Sequence, residues 1–133
     1  MTAEAPRFTG GRLNQEIANA VVRRHKRRLG RGPTKAQAFF RHNIVVVVLQ
    51  DGLTDAERML AEAGDGEAVV RMRERYQHAM RDDLVSAVEE LTECRVDAFL
   101  AGSHIEPDLV VEVFVLDRPV PGELEHREAA AST

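Results

Sequence analysis

Apolar positions recur every three or four residues in two long stretches of the chain and crowd together in three short ones. Leu13, Ile17, Ala20 and Val21 form one stripe at helical spacing, which predicts a helix over residues 13–29. Gly30, Gly32 and Pro33 stop it. A second, longer stripe runs Val69, Met72, Tyr76, Met80, Leu84, Ala87, Val88 and Leu91. Arg71, Glu74, Arg75, Arg81, Asp82, Glu89 and Glu90 fall on the opposite face, so the spacing predicts an amphipathic helix over 67–93, with Asp65 as its cap. Between the two, Thr54-Asp55-Ala56-Glu57 has the Thr and Glu of a capping box and predicts a short helix ending near Ala63 and Gly64.

The short apolar stretches read differently. Ala36 to Phe40 is broken by Arg41-His42-Asn43, and Ile44, four valines and Leu49 follow. β-Branching restricts χ1 and favours strand over helix, so residues 35–50 predict a hairpin closed by Asp51-Gly52. Residues 95–100 alternate, with Val96, Ala98 and Leu100 on one side and Asp97 and Phe99 on the other. A polar turn over 102–108 leads to the apolar strand 109–116. In that strand Glu112 interrupts the run and is expected to point to the solvent side. The fold class that results is α+β: a single domain in the order α-β-β-α-α-β-β, with a four-stranded, mostly antiparallel sheet and helices packed on one face. The domain is expected over residues 12–117, between a flexible N-terminal arm (1–11) and a flexible C-terminal tail (118–133).

These motifs together resemble a known family. GRGPTKAQAFF, IVVVVLQDGLTDAERMLAEAGDG, MRDDLVSAVEELTECRVDAFL and DLVVEVFVLD occur in order, and the resemblance covers residues 13–117. The chain is similar to the bacterial MpsC-like family, labelled after a sodium-translocating, membrane-potential-generating system. The resemblance implies a small soluble domain encoded near, or fused to, membrane or signalling modules. It brings no catalytic residues. Family members tend to carry Gly before the Arg-Val strand, where this chain has Glu93-Cys94.

Charge divides the chain sharply. The net charge of −4 over 133 residues is the balance of +8 in residues 1–41 and −12 in the remainder. Such asymmetry points to an anionic partner or to self-association. Arg23, Arg24, Lys26, Arg27, Arg28, Arg31 and Lys35 place seven cations within 13 residues. With Thr34 they form a candidate anion site. The alternative is a solvated helix face that pairs with the acidic body. The glycine turn is not a phosphate loop, since its glycines are two residues apart and Pro33 removes an N–H donor.

Other chemistry is sparse. Ser103, His104 and Glu106 lie together in a turn, where neighbouring residues rarely reach the geometry of a catalytic set. The five histidines share no metal-ligand spacing, and no cofactor or metal is expected. The single Cys94 forms no internal disulfide and reads as a buried small residue, which suits a reducing cytoplasm. The longest apolar run, six residues, is far short of the roughly 20 that a bilayer span requires, so no membrane insertion is expected.

The valine strand is apolar on both faces, whereas helices on one side of a sheet cover only one. A homodimer is therefore expected, the alternative being that the N-terminal arm or the first helix covers the second face. The function expected is a non-enzymatic accessory or regulatory domain acting through protein contact and anion binding, with a membrane-transport or signalling protein as partner. The alternative is a nucleic-acid-binding protein using residues 23–31 on phosphates. A third reading is a small-molecule enzyme built around His104 and Glu106.

Overall fold

The computed structural model describes residues 10–121. Three helices and four strands follow in the expected order: α1 (Gly10–Leu29), β1 (Lys35–Arg41), β2 (Ile44–Gln50), α2 (Asp55–Glu62), α3 (Gly66–Thr92), β3 (Val96–His104) and β4 (Leu109–Leu116). The strands form one antiparallel sheet in the order β1-β2-β4-β3, so the two hairpins join through β2 and β4. Alternation decides what each strand buries. Val45, Val47 and Leu49 of β2 and Val110, Phe114 and Leu116 of β4 point to one side. There they meet Leu13, Ile17 and Val21 of α1 and Met80, Leu84 and Val88 of α3. Phe99 of β3 packs on Phe114 with ring centroids 5.0 Å apart and planes tilted by 56°.

The ends of the elements follow local chemistry. Thr54 and Glu57 close the capping box reciprocally: the Glu57 N–H donates to Thr54 Oγ1, and the Thr54 N–H donates to Glu57 Oε1. Asp65 occupies the cap position of α3, but its side chain caps nothing. Its ψ of 36° is not the extended backbone a capping side chain requires, because α2 and α3 are joined by a tight turn through Gly64. Ordered chain also continues past residue 117: Val120 is buried in the core, and its N–H donates to the His42 carbonyl. Residues 1–9 of the expected arm and 122–133 of the expected tail lie outside the described residues.

Two expectations about β3 change. The strand runs on to His104, because Gly102, Ser103 and His104 continue the ladder opposite Val111, Val110 and Leu109. Partner hydrogen bonds outweigh the turn-forming composition there. A register shift between Val96 and Ala98 then advances the alternation by one. Phe99 consequently packs against the core, and Leu100 is left 62% exposed on the other face.

Glu93 ends α3 in the left-handed region with φ 59°. A side chain there costs about 1 kcal/mol that glycine avoids. Glu93→Gly is therefore expected to raise stability by ~0.5–1 kcal/mol, read as a higher urea midpoint with an unchanged slope.

Candidate functional site

The site is a cavity of about 260 Å³ closed by α1, α2, α3 and the sheet. Leu49 of β2 and Val110 of β4 form part of its lining. Met72, Arg73, Tyr76 and Gln77 come from α3, Ala56, Glu57 and Leu60 from α2, and His25 and Leu29 from the last turns of α1. Arg31 and Pro33 in the following turn complete that side.

Charged side chains run through this otherwise apolar lining. Arg73 is nine-tenths buried, and its Nη2 donates to Asp108 Oδ1 at 2.9 Å. Its Nε lies 4.0 Å from Glu57 Oε2. Asp108 also accepts from the Leu53 N–H through Oδ2, at 2.9 Å. One guanidinium thus ties α3 to the start of α2, to the loop before it and to the residue preceding β4. Behind the cavity, His25 Nε2 meets Glu112 Oε2 at 2.9 Å. Three atoms in this layer lack a hydrogen-bond partner: Arg73 Nη1, Gln77 Oε1 and Glu112 Oε1.

Glu112 therefore does not face solvent. It has no exposed surface and lies in the core layer opposite Val47 of β2 and Ala101 of β3. Strand alternation requires this, since Glu112 lies between Val110 and Phe114 in the two-residue period, and both of those are buried. His25, which belongs to the basic run by sequence, turns the other way from its neighbours and supplies the partner.

The candidate anion residues are distributed among several settings. Arg24, Arg27 and Arg28 converge on Asp83 of α3, with nitrogen–oxygen distances of 3.1, 3.0 and 3.4 Å. Partial burial pushes the Asp83 carboxyl up. Hydrogen bonds from Arg27 and Arg28, with the charges of Arg27 and Arg24, outweigh this and hold it below its ordinary value. Arg23 and Lys26 are exposed on α1, and Arg31 reaches the cavity. Thr34 donates to Asp51 Oδ2 at 3.3 Å, and Lys35 opens β1 on the face of the sheet away from the helices. His104 Nδ1 bonds the Pro107 carbonyl oxygen at 2.9 Å, and neither His104 nor Glu106 lines the cavity. Cys94 is buried beside Thr92, and burial raises its thiol pKa. Among the described residues, no three His, Cys, Asp or Glu gather as a metal site.

The opposite face of the sheet has its own character. Phe39, Ile44, Val46, Val48, Leu100, Val111, Val113 and Val115 share it, and no described element packs on it. Phe39 is 51% exposed and Ile44 42%.

A family model described as "Na+-translocating membrane potential-generating system (MpsC)" matches residues 9–118. A relative from Bacillus subtilis (strain 168), described as "Uncharacterized protein YrhF", is 27% identical over 124 residues, covering 86% of this chain and 93% of that protein. No solved structure matches.

Proposed function

We propose that this chain, which belongs to the MpsC family, is a non-catalytic accessory domain that works as a homodimer paired through the outer face of its sheet. The observation that carries this reading is the uncovered row of valines flanked by Phe39, Ile44 and Leu100. Contiguous apolar surface of this kind marks an interface. Four strands about 4.8 Å apart and about seven residues long cover roughly 450 Å² in projection, so two copies stacked face to face approach the ~1,000 Å² of a specific interface. At the paired positions of β2 and β4 in the middle of this face no charged side chain occurs; Lys35 and Arg41 sit along its β1 edge and Asp97 at the far end of β3, so two copies meet without opposed like charges at the centre. The segments outside the described residues contain only Met1, Phe8 and Leu124 as large apolar side chains, too few to match the face.

The family description supports placing this accessory role at a membrane ion-translocating system. No described helix is long and apolar enough to cross a membrane. In this proposal the domain acts beside the lipid, on the cytoplasmic side. The basic end of α1 keeps a net positive charge after Asp83 is counted. It is available to an acidic protein surface or a small anion.

Phe39 and Leu100 are exposed in the single copy, so charging them costs the fold little, yet both become buried in the dimer. Sedimentation equilibrium is expected to give twice the 14.8 kDa chain mass for the native protein. The Phe39→Glu/Leu100→Glu variant should sediment as a single copy with an unchanged far-UV spectrum. A native protein that stays single at every concentration would overturn the reading.

A further inference from the structure

We infer that the cavity between α1, α2 and α3 binds a small, uncharged, mostly apolar molecule that carries a hydrogen-bond donor and an acceptor side by side, as a lactam or primary amide does. This site is independent of the outer sheet face and of the dimer. Its volume, about 260 Å³, lies near the ~300 Å³ lower bound of small-molecule pockets and suits a one- or two-ring compound. Leu29, Leu49, Leu60, Met72 and Val110 give it apolar walls.

The charge pairing excludes an ion as the favoured occupant. Asp108 and Glu57 already face Arg73, and Glu112 is held by His25. Beside Arg73 a ligand carboxylate would meet Glu57 and Asp108 around one buried guanidinium, the lining's other arginine, Arg31, being exposed, and a cation would compete with Arg73 for its partners. What remains unpaired on the two lining residues is one donor, Arg73 Nη1, and one acceptor, Gln77 Oε1. Both residues are nine-tenths buried, and they lie one helical turn apart, so their side chains are neighbours. Each orphaned atom carries a desolvation cost that a complementary bound group removes. A lactam offers its carbonyl to the guanidinium and its N–H to the amide oxygen. Met72 and Tyr76, half-buried on the same helix, line the cavity beside them.

Oxindole, a bicyclic lactam, and indane, a hydrocarbon of similar shape, are the probes. Titration followed by heteronuclear NMR should show oxindole shifting amides around Met72–Gln77 and the methyls of Leu49, Leu60 and Val110. Indane should bind about tenfold more weakly, the difference that lost hydrogen bonds to buried polar groups impose. In Gln77→Leu the preference should fall towards parity while the fold, read by circular dichroism, is kept. Should that variant not fold, the native comparison decides alone. No oxindole binding, equal affinity for the two probes, tighter binding of indane-2-carboxylate, or shifts confined to the outer sheet face would each overturn the assignment.

Discussion

His25→Leu is expected to destabilise the protein by about 3–5 kcal/mol, far more than removing a histidine from a basic helix end would suggest. Glu112 has no exposed surface and faces only His25 among the hydrogen-bond partners described for it. Removing the imidazole leaves an uncompensated carboxylate in the centre of the core layer. It must either stay charged in an apolar setting or take up a proton, and both cost free energy. The companion variants make the cause visible. Glu112→Leu alone should cost less, because a buried neutral imidazole is cheaper than a buried carboxylate. His25→Leu/Glu112→Leu should recover most of the loss, since packed apolar residues often replace a buried pair at no cost. Urea unfolding at one fixed protein concentration measures all three. A loss under about 1 kcal/mol for His25→Leu would place the pair among ordinary surface contacts.

Arg73→Met is the second large effect, at about 3 kcal/mol or more. The methionine replaces the stem but not the fork. Asp108 then keeps only the Leu53 N–H, and Glu57 keeps only its capping contact with Thr54. The loss should be felt where these elements meet, so amide exchange should quicken over α2 and the loop at 51–54 before it quickens in the sheet. Asp108→Asn retains an acceptor for Leu53 and should cost clearly less. If Arg73→Met unfolds at the native midpoint, the guanidinium is not what joins these elements.

Much of this architecture is legible in the order of residues because it depends on local chemistry. The capping box at Thr54, the stop at Gly30 and the valine strand each carry their own physical cause within a few positions. Features set by distant partners are not legible in that way. The register shift near Asp97 moves Leu100 outward and Phe99 inward, and nothing within 95–100 announces it. Glu112 reads as a solvent-facing break until α1 places His25 above it. Arg73 and Gln77 are the instructive pair. They sit in step with Val69, Met80 and Leu84, on the buried side of α3, where the apolar stripe alone suggests Met72 and Tyr76. Their spacing of four from Val69 was the available signal. Two polar residues in phase with a core stripe mark a built polar layer, and here that layer borders the cavity. The basic run illustrates the reverse case. Its composition is conspicuous, yet three of its arginines are held by one aspartate of the body, and its one histidine belongs to the core.

The outer sheet face is the surface on which two copies are proposed to meet. Isotope-filtered NMR on a mixture of labelled and unlabelled protein tests it directly. Intermolecular contacts are expected among the methyl groups of Val46, Val48, Val111, Val113 and Leu100 and the ring of Phe39. Contacts onto those methyls only from residues 1–9 or 122–133 of the same copy, or no intermolecular contacts there at all, would contradict it.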